Sequence, residues 1–296
     1  MESNQKTFTS KTNFHLAGIV PVAGSRVDIN VPFPDVMLPV GNDYTLLDAA
    51  LVECAYAGCD TIWIICNDDT APLLRHRIGD YIEDPSFYFY NTTRNTDYRK
   101  RIPIFWVPQH PRDRDRRDCL SWSAVYGSLS AFKICSKISK WVIPDKYYVS
   151  FPYGLFNARE LLEIKRKVSS SKNFYLVSEG KTVQDNIYSS FTFGKEEFLQ
   201  YRRNVRKGTG KWKGEYGNME ALPIEERWSA RFFEPKNVFK DLDLESATLL
   251  ETKTFYNITS WEEYLTYMRS DYALEIVKPP SDMFSYKEFN PVAVDN

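Results

Sequence analysis

The sequence predicts an α/β fold with a mostly parallel sheet and helices on both faces. Three observations carry this. Short all-apolar runs recur along the chain, of the kind that form strands buried on both faces. Segments of helical period lie between them. The first such strand–helix–strand unit closes within about 50 residues, which calls for a right-handed crossover and parallel pairing. With 296 residues, 43% hydrophobic and 26% charged, the chain can bury a sizeable core.

Residues 15–22 (HLAGIVPV) read as the first buried strand, ended by Gly24-Ser25-Arg26. Residues 31–40 form a loop, because Pro32, Pro34 and Pro39 exclude helix there. Residues 45–58 read as a helix, with Leu46, Leu47, Ala50, Leu51, Cys54 and Ala55 on one face and Gly58 at its C-terminus. Residues 61–66 (TIWIIC) read as the second strand. Asn67-Asp68-Asp69 follow it, at the carboxyl end, where open α/β sheets hold ligands.

Further strands are expected at 102–107, 146–151, 174–177, 190–193 and 254–258. Helices are expected at 121–136, 158–168, 196–205 and 261–269. Residues 112–118 (RDRDRRD) read as a mixed-charge loop, and 206–220 as a Gly- and Lys-rich loop. The expected organisation is a mobile tail at 1–13, an α/β domain at 14–205, a lid or insertion at 206–253, and C-terminal elements at 254–296 that pack back on the same domain.

Lys plus Arg is 38 and Asp plus Glu is 39, for a formal charge of −1. No global field invites nucleic acid or a membrane surface. The five cysteines form no CxxC pair, and the three histidines match no zinc spacing. The N-terminal stretch is polar and no run approaches 18 apolar residues, so a cytoplasmic protein without a membrane span is expected. No GxSxG, HExxH, GxGxxG or kinase signature occurs, and the Gly-Thr-Gly-Lys at 208–211 is no P-loop, since Val205 and Trp212 stand at its required positions.

The order of elements, with Val20-Pro21-Val22-Ala23-Gly24-Ser25-Arg26, then Pro34-Asp35-Val36-Met37-Leu38-Pro39-Val40, then 254–264, resembles the sugar-phosphate nucleotidyltransferases. That resemblance implies a Rossmann-like, nucleotide-diphosphosugar-transferase type of fold. It also implies transfer of a nucleotidyl group to a sugar 1-phosphate with release of pyrophosphate, and Mg²⁺ as cofactor if the protein is active. The chain also resembles proteins of T4-like marine phages, which would place it in a host cytoplasm.

Residues carried over by the resemblance are Arg26 and Asp35 as catalytic candidates, with Gly24 and Ser25 in the phosphate-binding turn. Asp35 stands where the family has a lysine, Val22 where it has its first glycine, and Asn257 where it has a metal-binding Asp. The stretch after the fourth strand, Ser150-Phe151-Pro152-Tyr153, offers no equivalent of the other metal Asp. Asp35 and Asn257 are the metal candidates that remain. Asn67, Asp68 and Asp69 are candidates for a ribose, a base or a metal, or form a turn that caps the next helix. Arg112 and Arg114 are a phosphate clamp or self-paired surface charge. Lys207, Lys211 and Lys213 beside Trp212 and Tyr216 are a phosphosugar contact or a solvated loop. The expected partner is a nucleotide or nucleotide sugar. A glycosyltransferase on the same scaffold, or a non-catalytic binding, interaction or virion protein, are the competing readings.

Overall fold

A computed structural model describes residues 14–24, 29–86, 100–138, 142–208, 212–213, 220–221 and 233–279. In chain order its elements are β1 Leu16–Pro21, β2 Pro39–Gly41, β3 Tyr44–Thr45, α1 Leu46–Ala57, β4 Thr61–Cys66, α2 Ala71–Ile78, β5 Tyr81–Glu83 and β6 Arg101–Pro108. Then come α3 Pro111–Arg116, α4 Leu120–Lys133, β7 Lys146–Val149, β8 Gly154–Phe156, α5 Glu160–Val168, β9 Phe174–Val177, β10 Phe191–Gly194 and α6 Lys195–Gly208. The last are β11 Trp212–Lys213, β12 Glu220–Ala221, α7 Pro235–Val238, β13 Thr248–Glu251, β14 Phe255–Asn257, α8 Trp261–Met268 and α9 Asp271–Glu275.

Eight strands form one sheet in the order β13-β9-β10-β7-β1-β4-β6-β5. β1 pairs in parallel with β4 on one side and β7 on the other, and β4 pairs in parallel with β6. The connections therefore run outward from β1 in one direction and then return to its other side. Such a reversal opens a crevice at the carboxyl ends of the central strands. β10 and β5 run antiparallel to their neighbours, and β13 adds in parallel to β9.

Two helix layers cover the sheet. In β1, Gly18 faces Cys54 of α1, while the next residue, Ile19, faces Gly127 of α4. Side chains alternate along a strand, so α1 and α4 lie on opposite faces. At Gly127 an added Cβ would come within 2.3 Å of Ile65 Cδ1, so α4 rests directly on the sheet. α1 begins at a capping box of Thr45 and Asp48 and ends at Gly58, whose φ of 91° is left-handed. Buried Asp48 also takes a 2.7 Å ion pair from Arg77, tying α1 to α2.

The structure differs from the sequence expectations in places. Residues 111–116 form a helical turn rather than a loop: Pro111 occupies the first turn, and His110 Nδ1 accepts from Arg112 N at 3.1 Å. The short strands β5, β8 and β13 were not anticipated. α6 runs on to Gly208, past the expected end at 205.

Candidate functional site

The site is built from the three turns that follow β1, β4 and β6. After β1, Val22 N and Ala23 N both donate to Ile65 O at 2.8 Å, which fixes the turn against β4. Ser123 Oγ of α4 donates to Ala23 O at 2.7 Å. Gly24 follows with φ +80°, and a Cβ there would fall 2.5 Å from Cys119 N. Only glycine lets the turn press onto the start of α4. Gly24 thus lies in the turn after β1. Its neighbours Ser25 and Arg26 lie outside the described residues.

After β4, Asn67 O accepts from Thr70 N at 3.2 Å and Ala71 N at 2.9 Å, starting α2. Asp69 Oδ1 accepts from Thr70 N at 3.0 Å, so Asp69 serves the turn. Asn67 Oδ1 is buried and has no hydrogen-bond partner among the described residues. Asp68 is exposed and meets Arg114 Nη2 of α3 at 3.4 Å.

After β6, Gln109 N donates to Cys66 O at 2.9 Å, continuing the strand ladder by one step. The Gln109 side chain is fully buried, and among the described residues neither Nε2 nor Oε1 has a partner. Further along the same stretch, Arg114 Nε, Ser121 Oγ and Trp122 Nε1 are also buried without a hydrogen bond among the described residues, while Arg114 Nη2 is taken by the Asp68 ion pair. Each orphaned buried polar group costs about 1–3 kcal/mol. Native proteins keep few of them, and a cluster calls for a specific reason. Arg112, by contrast, points into solvent.

Asp68 and Arg114 are therefore brought together on the turns after β4 and β6, with Asn67 and Asp69 beside Asp68 in the chain, while Gly24 lies against Cys119 at the start of α4. Arg117 extends the basic side, its guanidinium stacking 4.6 Å from the Trp122 ring centre. Burial pushes the Cys66 thiol up to about 12, with Asp68 adding to the rise and Arg114 opposing it. Burial likewise holds Cys119 at about 11. Both thiols stay protonated at neutral pH, so neither is a nucleophile.

The remaining candidates lie elsewhere. Asp35 opens a one-turn 3₁₀ helix, Asp35–Met37, and its carbonyl accepts from Leu38 N at 3.0 Å. Asn257 is in β14, beyond β7, and its Oδ1 accepts from Tyr188 N at 2.8 Å. Mg²⁺ prefers several carboxylate or phosphate oxygens in octahedral array. Among the described residues no group of three His, Cys, Asp or Glu converges on one point. Ser150-Phe151-Pro152-Tyr153 follows β7 without a carboxylate, and Asn257 spends its carbonyl oxygen on the backbone. These residues do not fit Mg²⁺. Lys211 and Tyr216, and the side chains of Lys207, Trp212 and Lys213, lie outside the described residues.

No family model matches this chain. No curated protein matches it either. Solved structures do. A protein assigned as a glucose-1-phosphate thymidylyltransferase of Bacillus anthracis, in complex with a sucrose, aligns with TM-score 0.52 at 11% identity, over 88% of this chain and 96% of that one. The UTP-bound UGPase of Acinetobacter baumannii aligns with TM-score 0.52 at 13% identity, over 94% and 97%. The chain has the fold of the sugar-phosphate nucleotidyltransferases. At this identity the likeness speaks for the fold alone. Within that fold no described helix is long and apolar enough to cross a membrane. Sequence reading missed Gln109, because a single amide between two prolines belongs to no motif. Its signal was positional, one residue past the end of β6.

Proposed function

We propose that this chain is a divergent nucleotidyltransferase-like protein that binds a nucleotide or nucleotide sugar in the crevice after β1, β4 and β6. The observation that carries the reading is Gln109, wholly buried at a strand end with both carboxamide atoms unpartnered. A carboxamide offers a donor and an acceptor side by side, the complement of a nucleobase edge. Asn67 Oδ1 adds an acceptor, and the half-buried Arg114 a cation suited to phosphate. The structural neighbours include an enzyme bound to UTP, which agrees with this ligand class.

Nucleotidyl transfer to a sugar 1-phosphate is the stronger form of the same reading. Asp35 and Asn257 stand where the resemblance calls for a cation and a metal carboxylate, and Ser150-Phe151-Pro152-Tyr153 offers no equivalent of the other metal Asp, so binding is the form we favour. A thermal-shift series with the four NTPs and with UDP- and dTDP-sugars tests it. A ligand at 100 times its Kd stabilises by about 2.7 kcal/mol. One nucleotide class raises the melting temperature of the wild type and not that of Gln109→Leu. Melting curves that no nucleotide moves would remove the proposal. Pyrophosphate release from an NTP and a sugar 1-phosphate with Mg²⁺ would establish transfer.

A further inference from the structure

A cavity of about 450 Å³ opens on the α1 face of the sheet, between α1, α5, the segment around β8 and the residues of and after α9. It is lined by none of the crevice residues Asn67, Gln109 or Arg114. Its size falls within the range of small-ligand sites, roughly 300–1,000 Å³. Two buried polar side chains of α1 line it. Glu53 is 3% exposed, and its Oε1 accepts from Tyr148 Oη at 2.7 Å and from Ser190 Oγ. Its Oε2 accepts from Ser150 Oγ at 2.8 Å. Tyr56 is 2% exposed; its hydroxyl makes no close hydrogen bond among the described residues and lies within the influence of the Arg159 guanidinium. Phe151, Phe156 and Tyr272 give the walls aromatic surface, and Arg159 and Lys253 stand exposed at the rim.

We propose that this cavity is a second ligand site, separate from the crevice, and that it binds a sugar ring. A sugar presents an apolar face to aromatic walls and hydroxyls at its edge. A carboxyl group has about four hydrogen-bonding positions, and three are filled at Glu53, so one remains for a ligand, an acceptor when the group is ionised and a donor when it is protonated. The Tyr56 hydroxyl can both donate and accept. A wholly apolar ligand would leave both groups unpaired at a cost, and a lone cation would find one buried carboxylate where several are needed. The cations at the rim suit a phosphate substituent on the same ring.

The test is calorimetric titration of the full chain with glucose, galactose and mannose, with their 1-phosphates, and with UTP. The variants are Tyr56→Phe, Glu53→Gln and Gln109→Leu. Tyr56→Phe removes only a hydroxyl whose charged neighbour, Arg159, is exposed, and a melting temperature matching the wild type checks that it folds. The expected result is a hexose or hexose 1-phosphate whose binding weakens at least tenfold in Tyr56→Phe and in Glu53→Gln but is unchanged in Gln109→Leu. Binding of the 1-phosphate alone would place the affinity at the rim cations and still support the site. Sugar binding that Gln109→Leu abolishes and Tyr56→Phe spares would assign the sugar to the crevice and overturn the proposal. Absence of heat with every sugar at millimolar concentration would overturn it as well. UTP binding lost in Gln109→Leu alone would bear on the crevice and leave the cavity to be judged by the sugars.

Discussion

Gln109 is anchored to Cys66 through its backbone, N–H to carbonyl at 2.9 Å, while its buried carboxamide touches no partner. The strand ladder holds the residue in place and the side chain gives the fold nothing in return. Replacing an unsatisfied buried polar group by an apolar one of similar shape is near neutral or stabilising. Gln109→Leu should therefore melt no lower than the wild type, as differential scanning calorimetry would show. A drop of several degrees would mean that the carboxamide has a structural partner after all.

Gly24 should tolerate no side chain. Its φ of +80° and the 2.5 Å approach of a Cβ to Cys119 N act together. Gly24→Ala should destabilise by roughly 2–4 kcal/mol, the scale of strain at a special backbone position. Urea denaturation measures it, and a loss under 0.5 kcal/mol would contradict the close packing of this turn on α4.

Arg114 and Asp68 form an exposed pair, with side-chain exposures of 31% and 61%, so the pair itself should be worth under about 1 kcal/mol. Asp68→Ala should leave stability and nucleotide affinity near wild type. Arg114→Ala should also fold normally but weaken a nucleoside triphosphate more than the matching nucleoside. Equal weakening of both in a titration would show that Arg114 does not meet the phosphates.

Glu53 should make stability depend on pH. Burial raises its carboxyl to about 7, against the lowering effect of the Ser190, Tyr148 and Ser150 hydroxyls. The folded state thus holds the proton more tightly than the unfolded one, where the carboxyl titrates near its ordinary value of 4.5. The stability from the protonated form is complete below about pH 4.5 and is lost as pH rises through about 7. The total is on the order of 3 kcal/mol. Cys54 and Tyr148 also face this carboxyl, and burial raises both well above their ordinary values, so they remain neutral across that window. Glu53→Gln should flatten the wild-type fall in melting temperature between pH 5 and 8. An identical slope in the variant would refute the assignment.

Asn257 should be structural. Asn257→Ala removes the acceptor of Tyr188 N and should cost about 1–2 kcal/mol. Added Mg²⁺ alone should not change the melting temperature of wild type or variant. A wild-type shift that Asn257→Ala abolishes would restore the metal role.

The parts of the fold legible in the sequence were those whose period matched their burial. β1 and β4 are buried at every position, so their apolar runs stand out, and α1 carries its cap residues at both ends. β5 and β8 have three residues each, too few to show a period. β13 is an edge strand whose side chains are all at least partly exposed, so it carries no core signature. α3 was hidden because its alternating charges read as solvated loop, although Pro111 in its first turn was a usable start signal. In the site, Asn67 and Asp68 were legible from their place after a strand. Gln109, Ser121 and Trp122 were not, because what marks them is missing hydrogen bonds, which only three-dimensional packing reveals. Glu53 was hidden likewise, since its partners lie 95, 97 and 137 residues away.

The central claim is that the buried Gln109 carboxamide exists to meet a nucleotide. The direct measurement is the melting temperature of wild type and Gln109→Leu, each with and without millimolar UTP, dTTP, ATP, CTP, GTP, UDP-glucose and dTDP-glucose. At least one of these should raise the wild-type value by several degrees and leave Gln109→Leu unmoved, while the two apo proteins melt together or the variant melts higher. A shift of equal size in both proteins, or none in either, would contradict it.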